Sequence, residues 1–127
     1  MCAMQQLAKP VDWYDLVCQR LDALREECAK GKLDEGCRAF PPSFVFDMAK
    51  KDVEDLRRLS GFPLNLPVAD VWVGPEGQLG LTWEFDDDRS IDLIFAPNRK
   101  VIRFTDDLKQ QKVEPKELPN LLARLAA

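Results

Sequence analysis

Two groups of carboxylates are the side chains whose type and spacing could do chemistry: the run Asp86-Asp87-Asp88 and the pair Glu84 and Asp92. A hard cation is held by several oxygens converging from spaced positions. Three consecutive aspartates diverge, and aspartate is a favoured turn residue, so the run reads as a solvated turn. Asp106-Asp107 reads likewise, as a turn or helix cap. Two carboxylates on neighbouring strands can hydrolyse a glycosidic bond, and Glu84 and Asp92 fall on strands expected to be adjacent. A catalytic function has to be argued from a convergent site, and no substrate cleft or aromatic platform is evident around this pair, so catalysis is not expected there.

Histidine is absent from the chain. That removes the usual general base near neutral pH, every Ser–His or Cys–His nucleophile pair, and every imidazole-containing zinc site. The cysteines are Cys2, Cys18, Cys28 and Cys37, with no close pair of the kind structural zinc uses. Four reduced thiols are expected, with no metal and no cofactor. Residues 1–6 lack the basic start and apolar core of a signal peptide, and no apolar run approaches a membrane span; a cytoplasmic setting is expected. Gly74-Pro75-Glu76-Gly77 is not a phosphate loop, because no Lys-Ser/Thr follows it and it opens a strand.

The chain has 127 residues, enough for one domain with a core of its own, and a net charge of -4. Residues 1–67 hold 10 basic and 11 acidic side chains, and residues 68–127 hold 8 and 11. Neither half carries the basic footprint that a phosphate backbone demands.

The front half reads as helical. Asp12 caps a helix over residues 12–30, stopped by Gly31, with Trp13, Val17, Leu21, Leu24 and Cys28 in one stripe. Residues 31–42 form a loop whose Phe40 and Phe44 are expected to pin a stiff Pro41-Pro42 turn to the core. A second helix is predicted over 46–60, with Val45, Ala49, Val53, Leu56 and Leu59 inward. Ser60-Gly61-Phe62-Pro63 has the residues of a glycine stop followed by proline.

Four strands are predicted after residue 67, over 68–73, 78–85, 90–96 and 101–105. Leu79, Leu81, Trp83 and Phe85 alternate with smaller or polar residues, and Ile91, Leu93, Phe95, Ile102 and Phe104 continue one apolar face. The expected register pairs Phe85 with Ile91, Trp83 with Leu93 and Leu81 with Phe95, then Phe95 with Ile102 and Leu93 with Phe104. It leaves loops of three residues at 87–89 and four at 97–100. Aromatics that share a face with this many aliphatics belong to a core and not to an RNA-stacking platform. Beyond a polar stretch from Asp106, a short helix is expected to carry Leu118, Leu121, Leu122 and Leu125, with Pro119 in its first turn.

Gly74-Pro75-Glu76-Gly77, Leu81-Thr82-Trp83 and the Asp86-Asp87-Asp88-Arg89 turn carry a resemblance. Residues 68–104 resemble a group of small uncharacterised bacterial proteins with a tryptophan-containing antiparallel hairpin. The resemblance covers about a third of the chain and implies no activity.

The expected fold is α+β, a single domain of two or three helices packed on a four-stranded antiparallel meander. The second sheet face is read as Val71, Val73, Thr82, Glu84, Asp92, Ile94, Val101 and Arg103, too aliphatic for a fully wet surface and too charged for a sealed core. Those eight residues are the candidate partner-binding set. The expected function is non-enzymatic: an acidic regulator, immunity or inhibitor-type protein that binds another protein. A second copy of the chain is among the partners considered, and neither nucleic acid nor membrane is expected. The alternative is a small enzyme working through carboxylates or a cysteine without histidine. The C-terminal leucines folding across the second face would be the competing explanation for its aliphatic content.

Overall fold

The computed structural model describes residues 12–31, 39–59 and 66–126. The chain is α+β; the described residues form three helices and a five-stranded antiparallel meander in the order β1-β2-β3-β4-β5. The elements are α1 (Trp13–Ala29), α2 (Ser43–Arg58), β1 (Asp70–Val73), β2 (Leu79–Glu84), β3 (Arg89–Ala96), β4 (Arg99–Asp106), β5 (Lys109–Lys112) and, after one 3-10 turn (Pro115–Glu117), α3 (Leu118–Ala126).

Helix α1 starts where its cap dictates. The Asp12 carboxylate accepts from the Tyr14 backbone N–H, and Gly31 takes a left-handed φ of 67° beyond the last turn. Trp13, Val17, Leu21 and Cys28 are buried and Leu24 is partly buried, as the stripe requires. Helix α2 begins three residues earlier than predicted, because Pro42 sits at the cap position with extended backbone and fixes the entry into the first turn. Val45, Phe46, Ala49, Val53 and Leu56 are buried, but Leu59 is exposed, because the chain leaves helical geometry there, at ψ 135°. Phe40 and Phe44 are also exposed and do not pin the Pro-Pro turn. The Ser60-Gly61-Phe62-Pro63 stop lies outside the described residues.

All three helices lie on one side of the sheet. Leu79, Leu81, Trp83, Ile91, Leu93, Phe95, Ile102 and Phe104 form a single core with the buried faces of α1 and α2. Trp13 meets Trp83 edge to face, with ring centroids 6.4 Å apart. Lys100 reaches from β4 to Asp52 of α2 at 2.7 Å. Leu118, Leu121 and Leu122 of α3 join the same core, and Leu56, Ile102 and Leu118 line one cleft. The C-terminal leucines therefore extend the helical layer and do not fold across the second sheet face.

The register differs from expectation by two residues in both central hairpins. Leu79 faces Phe95, Leu81 faces Leu93 and Trp83 faces Ile91; Leu93 faces Ile102 and Ile91 faces Phe104. A two-residue shift leaves every side chain on its expected face, so burial alone does not select between the two pairings. The turns select. Asp86 accepts from the backbone N–H groups of Asp88 and Arg89, both at 2.9 Å, and shapes a loop over 85–88. Pro97 and Asn98 alone connect β3 to β4.

Strand β5 was not expected. Its residues, Lys109, Gln110, Gln111 and Lys112, are all exposed, so no alternation marks it. It follows a two-residue hairpin in which Asp107 and Leu108 both adopt positive φ, 49° and 68°. That tight turn normally advertises itself with Asn-Gly or Asp-Gly. The stretch read as a polar linker is thus a hairpin arm that hands the chain back to the core at Val113, whose N–H donates to the Ile102 carbonyl at 2.9 Å.

Candidate functional site

Among the described residues, no helix packs on the sheet's second face. Its membership follows from the pairing. Val71 is opposite Leu81 and Val73 opposite Leu79, so both valines belong to the core side, where they pack partly buried against the core. This corrects their placement on the outer face. The outer residues of β1 are Asp70 and Trp72, opposite Thr82 and Gly80. Thr82, Glu84, Asp92, Ile94, Val101 and Arg103 stand on the outer face as expected.

Trp72 is the residue that sequence reasoning missed. Its indole lies flat over Gly80; a Cβ added at Gly80 would overlap Cε2, Cζ2 and Cδ2 of the ring. The signal was present in Gly80 itself, since a glycine inside an otherwise bulky alternating strand marks a close approach. The indole N–H donates to Thr82 Oγ1 at 2.8 Å, and the Thr82 hydroxyl donates to Asp92 Oδ1 at 2.7 Å. Arg103 completes the row, 3.9 Å from Asp92 Oδ2. Its Nε makes no hydrogen bond among the described residues.

Rows perpendicular to the strands organise the face. Asp70, Thr82, Asp92, Arg103 and Lys112 form one row, and Trp72, Gly80, Ile94 and Val101 the next. The second row is an aliphatic and aromatic strip, half-buried at Trp72, Ile94 and Val101. A shallow hollow of about 190 Å³ opens beside it, lined by Gln78, Ile94, Ala96, Arg99, Val101 and Arg103. Such a surface can lay a partner's apolar side chains on the strip and satisfy its polar groups along the charged row.

Glu84 and Asp92 are diagonal neighbours on the outer face, not directly opposite one another. Glu84 pairs across the ladder with Ser90, whereas Asp92 pairs with Thr82 and is engaged by its hydroxyl. The Asp86-Asp87-Asp88 run is turn architecture: Arg89 Nε donates to Asp86 Oδ2 at 2.8 Å. The Arg89 guanidinium and the two backbone donors hold the Asp86 carboxyl below its usual range. Asp88 and Asp107 join the two acidic turns through one backbone hydrogen bond of 3.0 Å. Among the described residues, no three His, Cys, Asp or Glu side chains gather as metal ligands. Cys18 is half-buried and Cys28 buried on α1, while Cys2 and Cys37 lie outside the described residues. No helix among the described residues is long and apolar enough to cross a membrane.

The described residues define the α+β class, a meander with helices on one face. No protein-family model, curated protein or solved structure matches the chain.

Proposed function

We propose that this chain works by binding another protein through the open face of its sheet, as a non-enzymatic regulator, immunity or inhibitor-type protein. One observation carries the reading. The face pairs an apolar strip, Trp72, Ile94 and Val101, with a charged row, Asp70, Asp92, Arg103 and Lys112, and all three helices pack on the other side. Apolar side chains at the centre with charged groups beside them are the composition of a recognition surface.

The test uses Ile94→Glu. The wild-type chain and the variant serve as bait in native cells, the retained protein is identified by mass spectrometry, and its purified form is titrated against both chains by calorimetry. Wild type binds and Ile94→Glu does not, while circular dichroism and the denaturation midpoint of the variant stay those of wild type. Equal binding by the variant overturns the proposal. So does unfolding of the variant, which would mean the face is internal.

A further inference from the structure

The outer face is electrically divided. Its carboxylates Glu84 and Asp92 stand on β2 and β3, while Asp70 at the β1 edge is 3.8 Å from Arg20 of α1; its cations, Arg99, Arg103 and Lys112, stand on β4 and β5. The aliphatic pair Ile94 and Val101 sits at the boundary, directly opposite one another on β3 and β4. A surface with acid on one half, base on the other and an apolar seam between them is complementary to itself.

We propose that the partner on this face is a second copy of the chain, related by a two-fold axis parallel to the strands and passing between β3 and β4. The proposal rests on the reading that the open face is a docking surface. This axis lays β3 of each copy over β4 of the other. Ile94 meets Val101 of the second copy, Asp92 meets Arg103 of the second copy, and each contact occurs twice, as an isologous interface requires. A two-fold perpendicular to the strands lays the acidic half on the acidic half and is opposed by charge. Sheets stacked face to face lie about 10 Å apart, the thickness that interdigitated Ile, Val and Arg side chains fill.

The size suits a weak, concentration-dependent dimer. Four overlapping strands of six, eight, eight and four residues give a flat area of roughly 400 Å² at ordinary strand spacing and rise, before side-chain relief adds to it. A standard interface buries about 800 Å² of accessible surface on each partner. The Arg103 guanidinium can donate to a carboxylate of the second copy, since its own contact to Asp92 is long and its side chain is 40% exposed. Edge-to-edge pairing through β5 is opposed by Lys109 and Lys112 at the two ends of that strand.

The test is sedimentation velocity on the purified full chain from micromolar to millimolar concentration. Wild type is expected to move toward twice its 14.5 kDa as concentration rises. Asp92→Arg makes the central charges of the face all positive, and Arg103→Glu makes them all negative. Each variant alone is expected to stay monomeric. An equimolar mixture of the two is expected to recover the dimer mass, because every cross-interface pair is then opposite in sign. Ile94→Glu, which leaves the Thr82–Asp92 hydrogen bond untouched, is expected to be monomeric as well. Wild type that stays monomeric throughout overturns the inference, as does a dimer indifferent to these substitutions or a mixture that recovers nothing. A monomeric wild type whose identified heterologous partner is still lost on Ile94→Glu refutes the second copy alone and leaves the docking surface standing.

Discussion

Replacing Gly80 with Ala tests the architecture of the open face at its tightest point. The new Cβ overlaps the Trp72 indole, a rigid ring held in place by its hydrogen bond to Thr82. The ring has to leave the sheet. Overpacking of this kind costs about 1–3 kcal/mol, and losing the indole–hydroxyl hydrogen bond adds about 1 kcal/mol. Against this, alanine is favoured over glycine inside a strand by about 0.5–1 kcal/mol. The net expectation is a loss of about 2 kcal/mol, read as a lower urea midpoint at unchanged m-value. The decisive comparison is the same substitution in a Trp72→Ala background. There the overlap is gone, and Gly80→Ala should be neutral or stabilising by a few tenths to about 1 kcal/mol. The coupling energy is then about 2–3 kcal/mol, at the upper end for residues in contact. A Gly80→Ala cost that is the same in both backgrounds would refute the placement of Trp72 over Gly80.

Three further expectations follow from single residues. Trp83→Ala should lose roughly 3–5 kcal/mol in denaturant unfolding, the range for a core aromatic, and fall toward the lower end, because its indole N–H is buried without a hydrogen-bond partner among the described residues; an unchanged midpoint would show that this face is not the core. Leu108→Gly should stabilise by about 0.5–1 kcal/mol, since a left-handed backbone is costly for leucine and free for glycine and the side chain is 94% exposed; a lower melting temperature would contradict the turn. Tyr14 is the chain's one tyrosine, and burial, then its hydrogen bond with Cys18, raises its pKa above the usual 10.0. The folded state therefore binds the phenolic proton more tightly than the unfolded chain does, so this contribution to stability is complete below pH 10 and is lost as pH rises through the folded value; an absorbance titration of the native protein with a midpoint at or below 10 would contradict that sign.

What the sequence disclosed and what it concealed divide along physical lines. Asp12 and Gly31 mark the ends of α1 because capping chemistry is local. The core face of the sheet was legible in the alternation from Leu79 to Phe104, because alternation reports which way side chains point. Register was not legible to within two residues, since Trp83 opposite Ile91 buries the same residues as Trp83 opposite Leu93. Strand β5 was invisible because an edge strand that buries nothing has no hydrophobic signature and its turn lacks glycine. The sequence alone puts Val71 and Val73 on the wrong face for a related reason. In Val-Trp-Val, three apolar residues run together, and only the pairing with Leu81 and Leu79 assigns the valines inward and Trp72 outward. The remaining six residues of the candidate face, Thr82, Glu84, Asp92, Ile94, Val101 and Arg103, lie on strands whose alternation is clean, and the structure keeps them together.

Docking through the open sheet face is tested most directly by photocrosslinking inside native cells. A photoreactive amino acid is placed at Val101, on the apolar strip, and in a separate chain at Lys51, on α2 in the helical layer, where the side chain is 77% exposed. The expected result is a discrete protein adduct from position 101 and none from position 51, whether the adduct is a second copy of the chain or another protein. Adducts from position 51 alone, or equally from both positions, would contradict docking through the sheet.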